Sequence, residues 1–176
     1  MNIKVFWDPQ SPSGLQLPVS RLISMILDQP VEVLESPLLV DGYDRDRNQH
    51  DARKILDRIQ NTYIRRFNIQ DPLLLVVPCD LFVGGCDFVF GLARSQIGAA
   101  VVSTARLDNT YYGRDAHDED LIDRIAKEGA HELGHLLGLD HCENPECTMF
   151  RPATLDELDR KKKMLCPACR QALSGR

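Results

Sequence analysis

Hydrophobic residues in the first half of the chain follow two spacings, and each spacing predicts one type of element. Residues 3–7 and 31–34 are short apolar segments typical of strands. Residues 18–28 and 51–67 carry apolar side chains three and four positions apart, as an amphipathic helix does. The order of these elements, strand, helix, strand and helix, predicts that the first half of the chain consists of βα units.

A fully apolar run at residues 73–77 lies between two proline-containing turns. Such a run is typical of a strand that is covered on both faces in a mostly parallel sheet. Glycines then divide the following segment into two shorter strand candidates, residues 88–93 and 99–104, either of which could form a sheet edge. We therefore expect an α/β (α+β) fold around a twisted, mostly parallel sheet.

Residues 118–138 again have helical periodicity, with acidic residues in the first turn, where they interact favourably with the helix dipole. The end of this helix carries the motif H-E-x-x-H-x-x-G-x-x-H, in which the histidines are His131, His135 and His141. Histidines four residues apart project from the same side of a helix and can reach one metal ion. Gly138 can end the helix in a left-handed conformation and turn His141 back towards that ion.

Three neutral imidazoles leave one position of a tetrahedral zinc open, which is typical of a catalytic site. Glu132, next to the first histidine, can act as general base by taking a proton from the attacking water. The short H-E-x-x-H pattern also arises by chance on exposed helices. The glycine and the third histidine, at fixed offsets, favour the metal site over that alternative.

Six cysteines occur in the chain, and four of them crowd its last 35 residues. Two close pairs joined by a longer connection are typical of a structural four-thiolate zinc site, here Cys142, Cys147, Cys166 and Cys169. Reduced, packed thiols or two disulfides remain alternatives. No role is assigned to Cys79 or Cys86, because buried or free thiols are commoner at such spacing.

Composition and charge indicate which partners and which location the protein has. The 176 residues carry a formal charge of −5, which argues against nucleic acid as a partner. The basic run at residues 160–163 is too short to change this. Residues 161–163 could partly offset the negative charge of a four-thiolate zinc centre, but a solvated helix face within the predicted helix 154–164 is the favoured interpretation. We expect a protein with no membrane-spanning segment, and the start of the chain does not resemble a signal peptide, which predicts a cytoplasmic location.

The histidine motif resembles that of the metzincin metallopeptidases, and the cysteines with Met149 resemble the archaemetzincins in particular. The resemblance implies a catalytic zinc on the three histidines, Glu132 as base, a methionine turn at Met149 and a structural zinc on the four cysteines. It also implies an antiparallel edge strand that holds a peptide substrate. Two units are expected, a catalytic part at residues 1–141 and a zinc-stapled part at residues 142–176.

The function that these features predict is hydrolysis of peptide bonds in peptide or protein substrates by a zinc-activated water. A zinc-stabilised peptide-binding or scaffold protein with little turnover is the alternative. A third hypothesis, that the cysteine-rich tail binds nucleic acid or a partner, conflicts with the acidic charge. Tyr111, Tyr112 and His117 precede the motif helix and are weaker candidates for oxyanion stabilisation, since packing or surface roles suit them as well.

Overall fold

A computed structural model describes residues 1–175 and shows a mixed α/β protein. The strands of this part of the chain are β1 (Ile3–Trp7), β2 (Val31–Glu35), β3 (Tyr43–Asp44), β4 (Gln49–Asp51), β5 (Leu73–Val77), β6 (Leu81–Phe82), β7 (Gly91–Arg94) and β8 (Ala99–Ser103). Its helices are α1 (Gln16–Leu27), α2 (Ala52–Ile59), α3 (Arg65–Phe67), α4 (Asp118–Leu136), α5 (Leu155–Arg160) and α6 (Pro167–Ser174). A π-helical turn, Gln60–Ile64, joins α2 to α3.

The main sheet has the strand order β2-β1-β5-β8-β7. The first four strands run parallel, and β7 pairs antiparallel with β8 at the edge. The predicted mostly parallel sheet with an antiparallel edge strand is therefore confirmed. Of the two edge candidates, the first contributes the edge strand, whereas the second lies inside the sheet and is buried along its whole length.

Two layers of helix cover the sheet, because alternate residues of each central strand point to opposite faces. Leu74 and Val76 of β5 pack with α1 and α4, while Leu73 and Leu75 pack with α2. All five residues of β5 are buried, as expected for a strand covered on both sides. Helix α4, which carries the histidine motif, thus packs against both the neighbouring helix α1 and the sheet.

Three features differ from the sequence-based expectation. A small second sheet, β3-β4-β6, escapes detection because strands of two or three residues are too short to show periodicity. The predicted helix 154–164 ends at Arg160, and the next residue, Lys161, is extended. The backbone N–H of Thr148 then donates to the carbonyl oxygen of Met164 at 3.1 Å, so this segment pairs with another part of the chain instead of continuing the helix. Helix α6 was not predicted at all.

Within residues 1–175, no helix is both long enough and apolar enough to cross a membrane.

Candidate active site and cysteine cluster

Helix α4 positions the first two histidines. It begins after His117, whose Nδ1 accepts a hydrogen bond from the backbone N–H of Asp120 at 3.3 Å, so this residue caps the helix. Leu133 and Ile125 are fully buried on the side that faces the sheet. His131 and His135 consequently face the open side of the helix, one turn apart.

The end of α4 explains how the third histidine returns to the first two. Gly138 has a φ of +87°, and the N–H of Leu139 donates to the carbonyl oxygen of Gly134 at 2.8 Å. The N–H of Gly138 donates to the carbonyl oxygen of His135 at 3.0 Å, which completes a Schellman motif. The chain reverses at this glycine as predicted, and His141 lies opposite the helix.

The three imidazoles converge through their Nε2 atoms. The Nε2 of His135 lies 3.2 Å from the Nε2 of His131 and 3.2 Å from the Nε2 of His141. The Nδ1 atoms of His131 and His135 lie 3.0 and 2.8 Å from the carbonyl oxygens of Thr148 and Leu139, respectively. A carbonyl oxygen only accepts, so each Nδ1 carries the hydrogen and each Nε2 presents a lone pair.

This arrangement fits a zinc ion. Lone pairs that face each other repel unless a cation lies between them. Zinc held tetrahedrally at about 2.0–2.1 Å from each nitrogen places neighbouring nitrogens roughly 3.3 Å apart, close to the observed spacing. Burial lowers the pKa of His131 to about 4, so its imidazole is neutral at pH 7 and able to coordinate.

Met149 packs against helix α4 at Gly134. Its side chain is fully buried, and a Cβ placed on Gly134 would overlap its sulfur. Gly134 therefore lets the methionine approach the helix backbone between His131 and His135. Without the family resemblance, the sequence favours a core-filling role for Met149. The structure places this side chain in the hydrophobic core and against Gly134.

Glu132 lies in the same cleft as the histidines and is 7% exposed. Burial raises the pKa of its carboxyl group well above the ordinary range, Glu128 adds to the rise, and Lys161 and Arg151 oppose it. A bound divalent cation would act in the same direction as these two cations. A Cβ on Gly91 of β7 would lie 3.0 Å from Glu132 Oε1, so this glycine makes room for the carboxylate. Neither Gly91 nor Glu128 gave a signal in the sequence.

An ion pair buried beneath the cleft joins α4 to the tail. The Nζ of Lys161 lies 3.1 Å from Glu128 Oε1, with side-chain exposures of 0% and 3%. The solvated-face interpretation of the basic run is therefore wrong for Lys161, although Lys162 is exposed. Arg124 adds a second link through a two-pronged contact with Asp159 at 2.8 and 2.9 Å.

The cleft has a volume of about 580 Å³ and two walls. One wall is formed by the segment that leads into β7, and the other by residues 151–153, which follow Met149. Tyr111, Tyr112 and His117 do not line it. The Tyr112 hydroxyl donates instead to the carbonyl oxygen of Arg106 at 2.7 Å, so this tyrosine takes a packing role.

The four tail cysteines also converge. Their sulfur atoms lie within 4.8 Å of one another, and Cys142 Sγ is 3.7 Å from Cys166 Sγ. Zinc held tetrahedrally at about 2.3 Å from each sulfur separates neighbouring sulfurs by roughly 3.8 Å, so the spacing fits a four-thiolate ion. All six cysteines of the chain are free of disulfides, and Cys79 and Cys86 lie outside this cluster.

Backbone N–H groups donate to two of the sulfur atoms in this cluster. Cys147 Sγ accepts from the N–H of Cys166 at 3.3 Å, and Cys142 Sγ accepts from the N–H of Asn144 at 3.4 Å. The pKa of Cys166 is lowered to about 7, chiefly by the backbone N–H of Cys169, whereas burial raises the pKa of the Cys142 and Cys169 thiols. Because the N–H of Cys142 also donates to the carbonyl oxygen of Met149 at 3.0 Å, the cluster is tied to the loop that carries His141.

Comparison with known proteins identifies the family of this chain. The profile of peptidase family M54 matches residues 40–175. The archaemetzincin of Halobacterium salinarum is 34% identical over 167 residues, which cover 92% of this chain and 93% of that protein.

Two solved structures are similar along nearly the whole chain. A zinc-dependent peptidase from Methanocorpusculum labreanum is 45% identical with a TM-score of 0.89, covering 97% of this chain and 99% of that one. The archaemetzincin of Methanopyrus kandleri is 31% identical with a TM-score of 0.81, covering 99% and 94% of the two chains.

Proposed function

Because the chain belongs to peptidase family M54 and is a zinc metallopeptidase, we propose that its catalytic zinc is held by His131, His135 and His141 and that Glu132 is the general base. The observation that carries this assignment is the convergence of the Nε2 atoms, 3.2 Å apart, in a cleft that Glu132 also lines. Peptides are the substrates of such an enzyme.

When bound, zinc supplies a Lewis acid that polarises a carbonyl group and acidifies water. The carboxylate of Glu132 accepts a proton from the attacking water and returns it to the nitrogen of the leaving amine. Thr148 and Leu139 hold the His131 and His135 rings through their carbonyl oxygens, so that neither ring must reorient during the reaction. The apolar wall around Phe88 and Phe90 excludes bulk water from one side.

Turnover of an unbiased peptide library tests this function. We expect the zinc-loaded protein to cleave peptides, with new termini identified by mass spectrometry, and His135→Ala to lose this cleavage because one of three ligands is missing. Lys162→Met, a change at an exposed residue outside the cleft, is the control and should retain cleavage. No hydrolysis of any peptide by the zinc-loaded wild type would favour the scaffold function instead.

We further propose a second, structural zinc on Cys142, Cys147, Cys166 and Cys169, which staples residues 142–176 as a C-terminal unit. The support is the mutual proximity of the four sulfurs and the N–H groups that donate to them. The first unit would then comprise residues 1–141. The similarity to a zinc-dependent peptidase supports the binding of zinc. That the chain binds two ions is part of our proposal.

Cys169→Ser is expected to lower the zinc content from two ions per chain to one and to lower the melting temperature, since structural zinc contributes directly to folding. Metal analysis by plasma mass spectrometry gives the count. The matched control is Cys86→Ser, which changes a cysteine outside the cluster and should keep both ions. An unchanged zinc content in Cys169→Ser would contradict the four-thiolate site.

A further inference from the structure

Some charged side chains in the cleft form ion pairs within the protein, and others do not. Glu128 is paired with Lys161 at 3.1 Å, and Glu132 is the proposed base. The remaining charged residue in the lining is Arg151, which is exposed and forms no hydrogen bond or ion pair with other groups of residues 1–175. By contrast, Arg106 and Arg124 each make two-pronged contacts with an aspartate.

The backbone that carries Arg151 is firmly anchored. It follows the buried Met149, and the N–H of Phe150 donates to the carbonyl oxygen of Cys147 at 3.0 Å. Two residues later, the N–H of Ala153 donates to Glu157 Oε2 at 2.7 Å. The intervening Pro152 has a restricted φ. The backbone at Arg151 is therefore held in place, and its side chain extends into the cleft from a fixed position.

Arg151 also lies close to the reacting groups. It shares the cleft lining with Glu132 and His141. A group that binds this guanidinium would therefore lie near the proposed catalytic zinc.

The wall of the cleft opposite Arg151 indicates the chemical character of the rest of the ligand. It is formed by the edge strand β7 and by apolar side chains, namely Val83, Phe88, Val89, Phe90 and Leu92. An edge strand can pair with an extended peptide, and apolar walls bind apolar side chains. The Arg151 guanidinium, which lies opposite this wall, adds one site for an anion. A carboxylate suits this site because its two oxygens can accept two parallel hydrogen bonds from the planar guanidinium.

We propose that Arg151 binds a carboxylate of the peptide substrate close to the scissile bond and thereby determines specificity. The carboxylate belongs either to an acidic side chain or to the free C-terminus of a short peptide. This inference rests on the proposed function of the cleft. It assigns Arg151 to substrate recognition and not to the chemical step.

The test compares peptides of one apolar sequence that carry Glu, Gln or Lys at each position around the cleaved bond, with a free or amidated C-terminus. For an exposed charge pair we expect about a twofold to fivefold preference in kcat/KM for the carboxylate form at one position. Arg151→Gln should abolish that preference, and Arg151→Glu should reverse it in favour of Lys. Arg160→Gln, an exposed arginine outside the cleft, should keep it.

Binding separates this proposal from the proposed function. Dissociation constants of the same peptides are measured by fluorescence polarisation on zinc-loaded Glu132→Gln, with and without Arg151→Gln, so no turnover is needed. A preference for the carboxylate peptides that disappears with Arg151→Gln supports the proposal even if the wild type cleaves nothing. Equal Glu-to-Gln and acid-to-amide ratios with and without Arg151 would overturn it, whatever the level of hydrolysis.

Discussion

Glu132→Gln is expected to lower kcat/KM for peptide hydrolysis by about 10²–10⁴-fold, the usual contribution of a positioned general base. Glutamine has nearly the same shape and fits beside Gly91, but its amide does not accept and return a proton. Because Glu132 is not a proposed ligand, the zinc content should stay unchanged. Steady-state kinetics on a fluorogenic peptide, combined with metal analysis, measure both quantities.

The environment of Glu132 explains the size of this effect. The side chain is almost completely buried, and this burial, together with the nearby Glu128, raises the pKa of its carboxyl group well above the ordinary range, which makes the carboxylate a stronger base. Glu119→Gln, in the exposed first turn of the same helix, is a matched control and should retain activity. Wild-type kcat/KM in Glu132→Gln would show that another group is the base.

The second large effect is expected on stability. Lys161→Met leaves the buried carboxylate of Glu128 without its partner, which costs about 3–5 kcal/mol when one member of a buried ion pair is removed. For a chain of this length, that loss corresponds to a decrease of roughly 6–20 °C in melting temperature. Calorimetry at saturating zinc measures it.

The neighbouring lysine is a stringent control. Lys162 pairs with Glu146 at 2.8 Å, but the two side chains are 59% and 57% exposed. An exposed pair contributes about 0–1 kcal/mol, so Lys162→Met should change the melting temperature little. The double variant Lys161→Met/Glu128→Leu should regain much of the lost stability, because it removes both buried charges. If Lys161→Met were as stable as Lys162→Met, the buried pair would not stabilise the tail on α4.

Parts of this molecule with a strong local signal are predictable from the sequence. The run at residues 73–77 predicted a buried central strand, and the spacing of His131, His135 and Gly138 predicted a helix that ends in a turn. These features depend on residues that are near one another in the chain. Their side-chain periodicity and backbone preferences are therefore visible without the fold.

Features that depend on distant contacts are not predictable in this way. Lys161 belongs to a basic run that is typical of a solvated surface, and only the packing of the tail on α4 reveals its partner Glu128, 33 residues away. Gly91 and Arg151 likewise reach the cleft from elements that are far apart in sequence. Their roles emerge only when the edge strand and the segment after Met149 face each other across the histidines.

Anomalous scattering at the zinc edge, measured on crystals of the fully metallated protein, tests the central claim most directly. The proposed ligand set predicts a peak about 2.0–2.1 Å from each Nε2 of His131, His135 and His141. The absence of a peak between these three rings, even if zinc is present at the cysteines, would contradict the proposed catalytic centre.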